Sequence, residues 1–403
     1  MFVPLREPMF RRLVLGRVTT YTANAVAPVA LAFAVLDLTG SVAMLGLVVG
    51  ARSITNVALL LLGGVLADRL PRGVILQGAS LAAAASQAAA AAAVLLGFAS
   101  VPLLIVLSVV NGAVSAASLP AASALTPQTV PPSLLRQANA LARVGTNTAM
   151  IAGASLGGML AALRGPGWAM VGTAVVFLLA AFFYARVDAP EIAASEPTRP
   201  LKDLRVGWSE FASRTWLWSV VVAFMVVNAA VVGGIQVLGP SIADATFGRL
   251  AWGFILGAQT IGALVGGVVA SRWQPRRALL YGTALVGVEA VPLLVLAHAP
   301  EVVLLLVIMF LGGMAIEQFG IAWDVSLQEN IPQDRLARVY SYDAVGSFVA
   351  IPIGEIAVGP LANHFGTAAT LTALAILVVV ATTGASATPS IRALRRLDQP
   401  VTA

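Results

Sequence analysis

Residues 215–240, TWLWSVVVAFMVVNAAVVGGIQVLGP, hold no Asp, Glu, Lys, Arg or His. An uncharged run of that length covers the roughly 30 Å of bilayer hydrocarbon that about 20 helical residues span, and similar runs recur along the whole chain. In hydrocarbon every backbone N–H and C=O must be bonded within the protein, which leaves helices or closed barrels, and these runs lack the every-second-residue alternation of barrel strands. Charged residues make up only 10% of the 403, against about 25% in soluble domains. The fold class expected is an all-α membrane protein.

Turn residues and prolines between the runs predict twelve helices, at about 12–36, 42–66, 74–97, 101–125, 136–162, 167–187, 215–240, 250–271, 277–298, 301–325, 337–362 and 366–388. The one long polar stretch, 188–214, reads as a linker between two bundles, residues 1–187 and 215–389, and a basic tail, 390–403, closes the chain.

The net charge of +6 does not form a nucleic-acid-binding face. Threaded through twelve crossings, Arg17, Arg52 and Arg143 fall within helices, Arg164 and Arg249 on one side, and every other Lys and Arg on the opposite side. The positive-inside rule then predicts both termini in the cytoplasm of a cell whose inner (plasma) membrane carries the protein. The N-terminal helix is too long for a signal-peptide core, so no cleavage is expected. The chain has no cysteine, which excludes disulfides and thiol chemistry. His298 and His364 have no metal-ligand neighbours in the sequence, so no metal and no cofactor is expected. The single lysine, Lys202, follows RPL rather than a glycine loop, so no phosphate-binding loop is present. No nucleophile, base and orienting group recur at workable spacing, which argues against an enzyme.

The two halves repeat. At an offset of 201, Gly112 matches Gly313, Pro131 matches Pro332, Val144-Gly145 matches Val345-Gly346 and Gly158 matches Gly359; at 207, Arg52 matches Gln259; at 203, GGVLADRLPR matches GGVVASRWQPRR, which puts Asp68 opposite Ser271. Six helices repeated in parallel is the architecture this implies.

Between the second and third predicted helices, Gly64, Asp68, Arg69 and Arg72 fall in step with G-x-x-x-D-R-x-G-R-R, the signature of the major facilitator superfamily, with Pro71 and Gly73 as departures. The chain resembles that superfamily over essentially its whole length, and within it the twelve-helix drug and siderophore exporters, through DLTGS (37–41), PLKDLRVGWSEF (200–211) and LQENIPQDRLARVYS (327–341). Their fifth-helix G-P-x-x-G-G element is reduced here to Gly153-Ala154 and Gly157-Gly158. The resemblance implies two six-helix bundles, with helices 1, 4, 7 and 10 lining a central cavity and helix 2 packed against helix 11.

Ionisable side chains inside a membrane cost about 2.5–3.5 kcal/mol on insertion scales, so each calls for a partner or a role. Glu317 and Asp324 lie seven residues apart, on one face of helix 10; they are the candidate proton-coupling pair, the alternative being structural hydrogen bonds. Asn24 and Asn228 correspond between halves and, with Glu317, are candidate substrate contacts or merely helix–helix hydrogen bonds. Arg52 and Glu355 are expected either to pair across helices 2 and 11 as an outer gate or to pair within their own bundles. Arg143 and Asp343, with Arg17, sit near the cytoplasmic ends as candidate gate or snorkelling residues. Glu289 reads as structural. Gly64, Asp68, Arg69 and Arg72 are expected to form an inner latch on helix 11, so that Asp68→Asn impairs transport and Ser271→Ala is mild.

These readings together predict a monomeric secondary transporter that exchanges protons for a small amphipathic molecule, with a proton-coupled nutrient importer of the same fold and a non-transporting receptor or partner subunit as alternatives.

Overall fold

The computed structural model describes residues 3–69, 71–131, 134–185, 187, 208–273 and 275–395. Among them are twelve long helices: α1 (Pro8–Thr39), α2 (Val42–Arg69), α3 (Arg72–Leu95), α4 (Val101–Leu125), α5 (Leu135–Leu163), α6 (Pro166–Tyr184), α7 (Thr215–Ala245), α8 (Arg249–Arg272), α9 (Ala278–His298), α10 (Val302–Asn330), α11 in two pieces (Gln333–Phe348 and Ile351–Phe365) and α12 (Thr367–Ala387). No strand occurs among the described residues. A short helix over 208–212 lies within the stretch expected to be linker throughout. Large side chains such as Phe182, Val303, Ile353 and Val380 are exposed on the helix exteriors, a surface suited to lipid rather than water.

Contacts divide the chain into two units that do not follow its order. One gathers Met1–Ala194 with Ile235–Gly257 and Glu355–His364; the other gathers Ser195–Gly234, Ala258–Gly354 and Phe365–Ala403. In the first, α1 packs on α5 and α6, α3 on α4 and α6, and α2 on α4, around fully buried Phe10, Leu13 and Phe33. In the second, α7 packs on α11 and α12, and α9 on α10 and α12, around Leu217, Leu279 and Leu293.

The internal repeat reappears as repeated contacts. At Gly112 of α4 a methyl group would strike the carbonyl oxygen of Arg52 on α2; at its counterpart Gly313 of α10 it would strike the carbonyl oxygen of Gln259 on α8. Residues 52 and 259 are themselves repeat partners, so the same backbone-to-backbone crossing is built twice. A second pair joins segments from opposite halves of the sequence within the first unit. A Cβ on Gly158 of α5 would lie 2.8 Å from Gly253 Cα of α8, and one on Gly359 of α11 would lie 2.5 Å from Ala43 Cα of α2. Only glycine allows helices this close, and in a membrane such contact replaces the hydrophobic drive as the source of association.

Prolines explain where the helices depart from regularity. Pro240, Pro292 and Pro352 lack the N–H that would bond the carbonyls four residues back, those of Gln236, Val288 and Phe348. Gln236 lies in a π turn, Gly233–Leu238; Val288 lies in a 3-10 turn, Val286–Glu289; Phe348 ends the first piece of α11.

Candidate functional site

The second unit holds a polar and aromatic cluster on facing sides of α7, α10 and α11. Four aromatic rings run in sequence along it. Phe224 stacks on Phe319 with centroids 3.9 Å apart, Phe319 stacks on Trp323 at 6.0 Å, and Trp323 meets Trp216 edge-on at 5.8 Å. The i, i+4 spacing of Phe319 and Trp323 puts both on one face of α10. The column ends on acids: the Trp323 indole N–H donates to Asp343 Oδ2 at 2.9 Å, and the Ser347 hydroxyl donates to Asp343 Oδ1 at 3.1 Å. Asn228 Nδ2 donates to the Ser347 carbonyl at 2.9 Å, beside the break in α11. Tyr340 donates its hydroxyl to Asp324 Oδ1 at 3.2 Å. Among the described residues no ion pair within 4.0 Å involves either acid, so neutral donors alone hold Asp343. Trp216, Phe319 and Trp323 are buried, Phe224 and Asp343 are half-buried and Asp324 is exposed.

Of the residues singled out in the sequence, this cluster brings together Asp324, Asp343 and Asn228. Glu317 is half-buried beside Gly267 of α8. Asn24 is half-buried on α1 of the first unit, and Arg143 is exposed on α5. Arg17 donates to Thr126 Oγ1 at 3.2 Å. Glu289 is fully buried against Gly312, and its Oε1 has no hydrogen-bond partner among the described residues.

In the first unit, Arg52 and Glu355 are near neighbours that do not form an ion pair. Arg52 Nε donates to Asn111 Oδ1 at 2.9 Å, Glu355 accepts from the Ser53 side chain and interacts with the Arg52 charge, and no N–O distance within 4.0 Å joins them. The ion pair that does link segments from the two sequence halves here is centred on Arg249. Its guanidinium bonds both oxygens of Asp37, Nη1 to Oδ2 at 3.0 Å and Nη2 to Oδ1, and both oxygens of Asp244, at 2.7 and 2.8 Å. It also lies 4.7 Å above the Phe33 ring. The sequence carried two hints of it, Asp37 in the DLTGS turn and Arg249 as one of two bases on its side.

Gly64, Asp68, Arg69 and Arg72 map to the end of α2 and the start of α3. Their side chains, and that of Ser271, lie outside the described residues. Near α7, Glu210 is buried and accepts from Arg214 and, at 2.7 Å, from Arg335. These hydrogen bonds, Arg214's foremost, hold its carboxyl below the usual glutamate range. Trp208, Phe211 and Tyr342 pack beside it with centroids 5.6–5.9 Å apart.

The family model of the Major Facilitator Superfamily matches residues 13–355. This chain belongs to the major facilitator superfamily. Its twelve helices and paired repeat crossings are that fold, two pseudo-symmetric six-helix bundles, and membership makes it a membrane transporter working by alternating access rather than an enzyme. Among superfamily structures it is similar to a bacterial homologue of the human lysosomal transporter Spinster (TM-score 0.78, 16% identity, 97% of this chain and 98% of that one). It is also similar to the nucleoside transporter NupG (TM-score 0.74, 14% identity, 94% and 98%) and to a D-xylose-proton symporter (TM-score 0.68, 15% identity, 93% and 95%). Over 151 residues, 37% of this chain, it is 30% identical to the multidrug efflux pump Tap of Mycolicibacterium fortuitum, a match spanning 36% of that protein's length.

Proposed function

We propose that the chain exports small amphipathic compounds, cations among them, in exchange for protons. It acts as a monomer in the inner (plasma) membrane with both termini in the cytoplasm. The observation that carries this reading is the aromatic column Phe224–Phe319–Trp323–Trp216, whose Trp323 bonds Asp343, with Asp324 close to that acid. A flat cation stacked on such rings gains about 0.5–2 kcal/mol from the ring quadrupoles, and the carboxylates supply its counter-charge. Asp343 is half-buried and held by neutral donors, so a proton and a cation compete for its carboxylate and the two occupants alternate. The partial likeness to a multidrug efflux pump supports the outward direction, and the one-sided distribution of Lys and Arg supports the orientation.

The test uses everted vesicles carrying a proton gradient and a lipophilic aromatic cation such as ethidium. The cation dissipates the gradient with the wild type; Asp343→Asn lowers that rate by about tenfold or more, the scale of losing one counter-charged contact, and Asp343→Glu restores part of it. Two outcomes overturn the proposal: whole-cell uptake driven by the proton gradient, which marks an importer, and no cation-dependent proton movement in either direction, which leaves a receptor or partner subunit.

A further inference from the structure

A second polar site lies inside the first unit, where α1, α2, α3, α4 and α6 leave a cleft. Its apolar wall includes Leu104 and Met170, and its polar end is Arg52, Gln87, Ser108 and Asn111. The cleft measures about 480 Å³ counted with its open mouth, and it is narrow.

The hydrogen bonding at the polar end is one-sided. Asn111 is 4% exposed, its Oδ1 is taken by Arg52 Nε, and its NH2 group has no partner among the described residues. Ser108 is also 4% exposed, and its hydroxyl has no partner among the described residues. Neither NH2 group of Arg52 is hydrogen-bonded to a described residue, and no carboxylate lies within 4.0 Å of it. Unpaired donors lining a cleft call for an acceptor, and a guanidinium beside an amide NH2 matches the two oxygens of an oxyanion.

We propose that this cleft binds the oxyanion head of a slim amphiphile, a single-chain carboxylate being the type case, with its head on Arg52, Asn111 and Ser108 and its chain along Leu104 and Met170. The narrow bore favours an unbranched chain over fused rings, and the guanidinium excludes cations. Glu355, whose charge acts on Arg52, opposes a second anion there. The site belongs to the first unit alone and does not rest on the export reading.

The probe is decanoate, titrated by calorimetry into the purified full-length protein in a neutral detergent. Decanoate binds the wild type, and Asn111→Leu and Ser108→Ala each weaken it by about tenfold, the ratio expected for one lost charged-group hydrogen bond. Glu355→Gln tightens it about threefold or more by removing the opposing charge. Decyltrimethylammonium does not displace it. Nanodiscs with and without lysophosphatidate, a single-chain lipid phosphate, distinguish the source of the oxyanion. Competition by lysophosphatidate in the wild type assigns the cleft to a membrane lipid, and unchanged decanoate affinity assigns it to a free carboxylate. The proposal is overturned if neither anion binds the wild type. It is equally overturned if both variants melt like the wild type and bind decanoate unchanged, or if the ammonium amphiphile competes.

Discussion

Glu210 illustrates how a single carboxylate ties distant stretches together. It lies in PLKDLRVGWSEF and its partner Arg335 lies in LQENIPQDRLARVYS, so two of the three stretches that resemble exporters meet at one hydrogen bond, and the third, DLTGS, supplies Asp37 to Arg249. Because Arg214 and Arg335 depress its folded-state pKa, Glu210 contributes stability above its unfolded value of about 4.3, and that contribution fades as pH falls through the lower folded value. Glu210→Gln therefore lowers the melting temperature at pH 7 and brings the two proteins together as the pH drops to the acid range. A thermal-unfolding series in detergent reads this directly. Parallel curves would show that the carboxylate charge is not what Arg214 and Arg335 hold. Asp343 behaves differently. With no cation beside it, its partner Trp323 is the residue to change: Trp323→Phe keeps the stack but removes the indole donor, so cation-driven proton release should move along the pH axis while the apparent KM for ethidium changes little.

At the scale of helices, glycine and proline decide most of what is irregular. Gly359 has the backbone of Ala43 against it, whereas nothing lies within 4 Å of a Cβ placed on Gly78. Gly359→Val should destabilise the protein by about 1–3 kcal/mol or more, the cost of overpacking, and Gly78→Val should cost far less; equal melting temperatures for the two would show that the α2–α11 crossing yields freely. The helices themselves were legible in the sequence because a bilayer demands long uncharged runs. The repeat was legible as well, since Gly112 with Arg52 and Gly313 with Gln259 are matched residues making one contact in each half. The π turn before Pro240 and the 3-10 turn before Pro292 were not foreseen, although the rule behind them is local: each proline strips a donor from the carbonyl four residues earlier. The aromatic column was illegible for another reason. Phe224 and Trp216 are far in sequence from Phe319 and Trp323, and only packing of α7 on α10 makes them neighbours. The same distance hid Asn111 from Arg52 and Asp37 from Arg249.

At the scale of the molecule, the first unit closes over pieces of chain borrowed from the second half of the sequence, and Arg249 is the charged element of that closure. Its two carboxylate partners are partly exposed, Asp37 at 43% and Asp244 at 36%, so the clamp should be worth about 1 kcal/mol rather than several. That suffices to bias a two-state conformational equilibrium about fivefold. Arg249→Gln should raise the population in which residues 39 and 246 move apart, read as a longer component in spin-label distances between cysteines placed at those two sites of this cysteine-free chain. An unaltered distance distribution would mean that Gly158 and Gly359 hold the closure without it.

The borrowed segments also set an order of manufacture. When ribosomes have delivered the first six helices, the groove at Gly158 still awaits Gly253, and Ala43 awaits Gly359, some 300 residues downstream. At about 5–20 residues per second that is roughly 15–60 s of synthesis. During that interval lipid, an insertion chaperone or water must occupy the surfaces that the late helices will cover. The amino-terminal half thus emerges as an unfinished object, completed by the last helices to be made, and truncated chains ending near residue 240 should be the preferred clients of membrane quality control.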